Sequence, residues 1–216
     1  MIKKWLPDII HSVELACEAI MDVYQNEFDV MFKTDNSPLT KADQKSNAIL
    51  VECLKKTGII VVSEEEALPK YEDRKGKMIW LVDPLDGTKE FISKSGEFCI
   101  CISLIENGKA IFGLIANPTK KEILFGGEEI APAIISFGEQ DIDNPAYKLS
   151  PIKQDKFDEV IYSKTQITPK IDAFIDKQCE KFGPIRRTKM GSALKFFNLA
   201  KGTANVYIRL WPTMEW

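Results

Sequence analysis

Two aspartates three residues apart, in the run Asp83-Pro84-Leu85-Asp86-Gly87-Thr88, are the strongest chemical signal in this chain. They follow the apolar stretch Met78 to Val82, which reads as a strand. Pro84 and Gly87 then force a tight turn, so both carboxylates and the carbonyl between them project from the sheet end. Convergent hard oxygens suit Mg²⁺, which takes octahedral oxygen ligation and keeps several waters. A solvated turn with Asp86 as a helix cap has the same local signature, so the motif alone leaves both readings open. Ser63-Glu64-Glu65-Glu66 ends a second short β-branched strand, Ile59 to Val62. If the two strands are neighbours, both acidic clusters emerge at one sheet edge, and their repulsion favours divalent cations. Asp43 lies just after the natural N-cap Thr40, where an acid complements the helix dipole. Paired with a hydroxyl such as that of Thr88, it would also orient and deprotonate a water. Ser192 and Lys195 follow Gly191 at a helix start, a pattern that by itself reads as a capped helix with a surface lysine.

The elements that position these residues alternate in period. Leu6, Ile9, Ile10, Val13, Ala16, Ile20 and Val23 recur at helical spacing over residues 5–25, and a second helix runs from Thr40 to a stop at Gly58. Residues 68–77 are polar and read as a loop or flap. Phe98 to Ile105, Ala110 to Ala116 and Glu122 to Phe125, with turns at Asn107-Gly108 and Asn117-Pro118, read as a strand meander. Residues 137–156 carry Gly, Pro and polar residues and mark the expected boundary between two parts, 1–140 and 141–216. Beyond it a strand (160–162), helix (169–181), strand (185–189), helix (192–200) and strand (205–210) read as an α/β unit with a partly parallel sheet.

Composition excludes several classes. The net charge of −3, from 29 basic and 32 acidic residues, offers no field for nucleic acid. Five cysteines without a CxxC pair, beside one histidine, argue against a disulfide framework and a zinc site. Cys99 and Cys101 read as same-face neighbours on an apolar strand, reduced thiols of a core. His11 falls near the apolar stripe of the first helix and is read as structural. No stretch reaches the ~20 apolar residues of a membrane span, so the expected location is the cytoplasm, with peripheral attachment to the inner membrane left open.

Taken in order, Ser37-Pro38-Leu39-Thr40-Lys41-Ala42-Asp43, Ser63-Glu64-Glu65, Trp80 through Phe91 and Gly191-Ser192-Ala193-Leu194-Lys195-Phe196 resemble the inositol monophosphatase superfamily. The resemblance covers essentially the whole chain. Thr88-Lys89-Glu90-Phe91-Ile92, Gly96-Glu97-Phe98 and the Gly-Ser-x-Leu-Lys run are most similar to the 3′(2′),5′-bisphosphate nucleotidases. It implies an α/β fold, the layered αβαβα sandwich of the inositol monophosphatase and fructose-1,6-bisphosphatase type, with its cleft at carboxyl ends of strands. It implies Mg²⁺ held by Glu64, Asp83, the Leu85 carbonyl and Asp86, and a water activated by Asp43 and Thr88. Substrate would lie against Glu64, Leu85, Asp86, Gly87, Thr88, Ser192 and Lys195, with the Gly87 and Thr88 amides on phosphate oxygens and Lys195 near a phosphate.

The implied reaction is hydrolysis of the 3′-phosphate of adenosine 3′,5′-bisphosphate to AMP, a step of sulfur metabolism inhibited by lithium. Inositol monophosphate and fructose 1,6-bisphosphate are the sibling substrates, and a homodimer is the expected assembly. Two departures stand out. Ser163-Lys164-Thr165-Gln166 lacks the histidine of the corresponding family stretch. The sequence ends at Trp216, where the family continues into a further metal-binding aspartate and a closing helix and strands. The expectation is therefore a C-terminally truncated chain or one with a weakened second metal position, and a fragment that binds metal or nucleotide without turnover is the rival reading.

Overall fold

The computed structural model describes residues 1–33, 38–139, 147–149, 158–164 and 169–210. The chain opens with α1 (Ile2–Gln25), a hairpin of β1 (Val30–Phe32) and β2 (Pro38–Thr40), and α2 (Lys41–Lys55). Then come β3 (Ile60–Ser63), the one-turn α3 (Tyr71–Arg74), β4 (Ile79–Asp86) and α4 (Thr88–Ile92). A meander follows: β5 (Cys99–Glu106), β6 (Lys109–Asn117), β7 (Glu122–Gly127), β8 (Ala133–Ser136) and β9 (Tyr147–Lys148). The last portion is β10 (Glu159–Ser163), α5 (Pro169–Phe182), β11 (Arg186–Met190), α6 (Leu194–Lys201) and β12 (Val206–Ile208).

Among the described residues seven strands form one sheet in sequential order from β3 to β9, in which β3 and β4 run parallel and the other neighbours antiparallel. Period-two alternation sorts its side chains. Ile100, Ile102 and Leu104 of β5, Phe112 and Leu114 of β6, and Ile123 and Phe125 of β7 join the core under α1 and α2. Cys99, Cys101, Ile115, Leu124 and Ile134 face the other way, onto Ala193, Leu194 and Phe197 at α6. A second sheet, ordered β11-β10-β12, is all parallel, as two strand–helix–strand crossovers require. Its Val160, Tyr162, Val206 and Ile208 pack on Ile171 and Ile175 of α5, while Tyr207 meets Phe196 of α6 edge-on. The layers are thus α1/α2, large sheet, α6, small sheet and α5, the αβαβα sandwich expected from the sequence.

Several local expectations are corrected. The Asp83 motif lies within β4 rather than after it: Asp83 pairs with Cys101 and Asp86 with Cys99, with the register shifting between them. Pro84 has no N–H to give a ladder, which accounts for the interruption. The polar stretch 68–77 contains α3. Phe91, which follows the motif, is fully buried, with its ring set at an angle against those of Tyr24, Phe28 and Phe98. β9 pairs with β8, so the large sheet takes its last strand from residues beyond 140. The boundary point 140/141, Ser37, Thr165, Gln166 and the segment from residue 211 lie outside the described residues. Among those described, no helix is long and apolar enough to cross a membrane.

Candidate active site

Parallel pairing of β3 with β4 brings the two acidic clusters to the same sheet edge, with Ser63 opposite Val82. The Glu64 amide continues the ladder by donating to the Val82 carbonyl (3.0 Å), immediately before Asp83. Ser63 accepts from the Glu65 amide and donates to Asn47 Oδ1 of α2 (2.6 Å), so the turn carrying Glu64 is tied on both sides. Ser46 of the same helix donates to the Pro84 carbonyl (2.8 Å) and anchors the neighbouring motif.

Asp83 is buried, and its Oδ1 accepts from the Leu85 amide (3.1 Å). Burial pushes its carboxyl well above the ordinary range, and the charges of Asp86 and Glu64 push the same way. The neighbouring Asp86 and Glu64 charges bear on a buried Asp83, a repulsion that a divalent cation held by hard oxygens would relieve. Asp86 Oδ2 is held from the opposite side by the Ala193 amide and the Cys99 thiol.

Asp43 occupies the third position of α2 in a complete capping box. Its Oδ2 accepts from both the amide (2.7 Å) and the hydroxyl (2.6 Å) of Thr40, whose hydroxyl accepts from Ala42. The helix-cap reading is therefore correct, and it leaves Oδ1 turned to Thr88, whose hydroxyl lies 3.3 Å away and 3.3 Å from the Leu85 carbonyl. Burial raises the Asp43 carboxyl pKa against the lowering influence of its Thr40 hydrogen bonds. One side chain thus serves as structural cap and as partner of the motif's hydroxyl.

Two glycines let the C-terminal part seat on this motif. Gly87 has φ +93°, and a Cβ there would stand 2.9 Å from the Glu97 carbonyl and 3.0 Å from Ser192 Cβ. A Cβ on Gly191 would fall 2.4 Å from the Glu90 side chain. Ser192 itself sits at φ +49° with its hydroxyl accepting from the Leu194 amide. Lys195 is not the surface lysine that its pattern suggested. It is 4% exposed, with its ammonium on the Ser192 carbonyl and over the Tyr207 ring.

The structure brings Asp43, Glu64, Asp83, Leu85, Asp86, Gly87 and Thr88 together, with Ser192 packed at Gly87. It also adds residues that the motifs did not mark. Lys33, from the hairpin, bridges Glu64 (3.2 Å) and Glu65 (2.7 Å). Burial works against its ammonium, but the hydrogen bond to Glu65 and both carboxylate charges outweigh that and raise its pKa. Glu97 accepts from the Gly191 amide (2.6 Å) and pairs with Lys164 (2.8 Å). The Gly96-Glu97-Phe98 run was a visible signal for Glu97, whereas nothing local marks Lys33. His11 is exposed on α1.

Comparison with known proteins agrees with this arrangement. A curated relative, the 3′(2′),5′-bisphosphate nucleotidase CysQ of Shigella flexneri, is 35% identical over 98% of this chain and 82% of its own length. The crystal structure of CysQ from Bacteroides thetaiotaomicron, a bacterial member of the inositol monophosphatase family, superposes with a TM-score of 0.81 at 35% identity. It covers 97% of this chain and 80% of that one. An inositol monophosphatase from Anabaena shares the fold at TM-score 0.66 and 19% identity, over 94% and 73% of the two chains. The model of the inositol monophosphatase family matches residues 7–216, and with the carboxylate edge, the capped Asp43–Thr88 pair and the layered sandwich all in place, the chain belongs to that family.

Proposed function

We propose that the protein is a magnesium-dependent phosphomonoesterase that converts adenosine 3′,5′-bisphosphate to AMP and phosphate. The observation that carries this reading is the meeting of Glu64, Asp83 and Asp86 with the Asp43–Thr88 pair at one sheet edge. Glu64, Asp83, the Leu85 carbonyl and Asp86 would hold Mg²⁺, which lowers the pKa of water and neutralises charge on a phosphoryl group. Thr88 receives a proton from the attacking water as its own hydroxyl proton passes to Asp43 Oδ1. The capping box holds that carboxylate at a fixed angle. The turn amides of Gly87 and Thr88 orient the phosphate, and the Ser192–Lys195 segment faces the nucleotide. No side-chain nucleophile is required, since in-line phosphoryl transfer depends mainly on position and charge. The nucleotide is favoured over a sugar or inositol phosphate because the curated relatives at 35% identity carry the nucleotidase name.

The same reading includes division into residues 1–140 and 141–216 around the substrate, a homodimer, a cytoplasmic location and inhibition by Li⁺ at a magnesium position. Phosphate release from adenosine 3′,5′-bisphosphate, inositol 1-phosphate and fructose 1,6-bisphosphate tests the activity, with Mg²⁺, with chelator and with added Li⁺. Mg²⁺-dependent, Li⁺-sensitive turnover led by the nucleotide is expected. Preference for either of the other substrates overturns the nucleotidase assignment, and no turnover by folded protein leaves one that binds metal or nucleotide without hydrolysis.

A further inference from the structure

On the α6 side of the large sheet, Cys99 and Cys101 lie two residues apart on β5 and therefore on one face. Their sulfurs are 3.9 Å apart, and Cys99 Sγ is 3.6 Å from Asp86 Oδ2. All three potential ligand atoms lie within 4.8 Å of one another. A tetrahedral zinc ion with Zn–S near 2.3 Å and Zn–O near 2.1 Å would set these separations at about 3.8 Å for S···S and about 3.6 Å for S···O. Cys99 thus already stands at coordination spacing from both of its neighbours, and the third separation is below 4.8 Å. A disulfide fits worse, because alternate strand residues are roughly 6.6–6.8 Å apart, at the far limit for a bridge.

We infer that Asp86, Cys99 and Cys101 form an inhibitory site for a thiophilic divalent cation such as Zn²⁺ or Cd²⁺. The Ser192 hydroxyl, which bears on the Cys99 thiol, or a water supplies the fourth position. A cavity of about 350 Å³, lined in part by Ile115, Leu124, Ala193 and Phe196, reaches Cys101. Binding releases the two thiol protons to solvent and leaves two thiolates and one carboxylate on the ion. Mg²⁺ does not compete for sulfur, but it does compete for Asp86. Occupation of the thiol site therefore withdraws a carboxylate from the magnesium set. The inhibitory consequence rests on the proposed activity; the binding does not.

The test titrates the whole protein with Cd²⁺ and follows the thiolate-to-cadmium charge-transfer absorption, then repeats the titration with rising Mg²⁺. One equivalent is expected to develop the band, and Mg²⁺ is expected to weaken it. Cys101→Ser and Cys101→Ala should each remove the band and keep magnesium-dependent turnover, while the double variant Cys53→Ser, Cys179→Ser should keep the band. In the phosphatase assay Zn²⁺ should inhibit the wild type. Either Cys101 variant should raise the concentration for half-inhibition by at least about 10- to 100-fold, the range produced by losing even an outer-shell partner. No band in the wild type, or a band that survives loss of Cys101 or vanishes with Cys53 and Cys179, overturns the site. A band insensitive to Mg²⁺ overturns the sharing of Asp86, whether or not any substrate turns over.

Discussion

The two sheets of this protein divide structure and chemistry unequally. The seven-stranded sheet is covered on one face by α1 and α2 and on the other by α6, and its core includes Trp80, Phe98, Ile100 and Phe112, all buried. The three-stranded sheet has a thin core of Val160, Tyr162, Ile171, Ile175 and Ile185, and its strand β12 is only half-buried. Every carboxylate of the candidate magnesium set rises from the thick sheet, whereas the Ser192–Lys195 segment comes from the connection between β11 and β12. Confining Glu64, Asp83 and Asp86 costs stability, and among the described residues the thicker body has the larger apolar burial to offset it. The thin part meets the site through the Ala193 amide on Asp86 and close approaches at Gly87 and Gly191, beside the apolar packing of Ala193, Leu194 and Phe197 and the Lys164–Glu97 and Lys201–Glu122 ion pairs.

Substitutions should separate these roles. Asp43→Asn keeps the cap acceptor but removes the proton acceptor for Thr88, so kcat should fall by about 10²–10⁴-fold with little change in KM or melting temperature. An unchanged kcat would take Asp43 out of the chemistry. Lys195→Met should raise KM for the nucleotide by about 10-fold while kcat changes less, the signature of lost ground-state binding; a fall confined to kcat would move this residue to the reacting side.

Stability should divide in the same way. Ile100→Ala and Ile175→Ala both remove fully buried side chains. The thick core should lose about 3–5 kcal/mol and the thin one, which can collapse around the gap, about 2 kcal/mol. Hydrogen exchange on the second variant should rise within residues 158–210 alone. Equal losses with global exchange would mean that the two sheets unfold as one unit.

The smallest effect concerns pH. Asp83 has a folded-state pKa above its unfolded value, through burial first and then the Asp86 and Glu64 charges. Its contribution to stability is therefore full below the ordinary carboxylate range and is lost as pH rises through the raised folded value. In chelator at neutral pH, Asp83→Asn should melt about 2–4 °C above the wild type. The gap should close on acidification towards the ordinary carboxylate range, and Mg²⁺ should reverse the order at neutral pH. Melting curves across pH, with and without metal, read this directly.

Much of the site was legible because its signals are local. The Asp83–Thr88 hexapeptide, the Ser63–Glu66 strand end and the Thr40 cap each depend on backbone conformation within a few residues, and helical or alternating apolar spacing placed the helices and strands that carry them. Lys33 was not legible, since its choice of Glu64 and Glu65 depends on where a hairpin folds against a distant strand end. Lys195 was misread as a surface residue because capping rules say nothing of the Tyr207 ring that covers it. Cys99 and Cys101 were correctly read as same-face neighbours, but their approach to Asp86 follows from the register shift in β4. By itself, the sequence determined most of the helices and strands, because propensity, periodicity and turn chemistry act over short chain distances, and its motifs, through their family resemblance, implied the layered class and the set of carboxylates. Only the tertiary structure decided which cation, amide and thiol each carboxylate meets, because those partners are chosen by how segments far apart in the chain pack together.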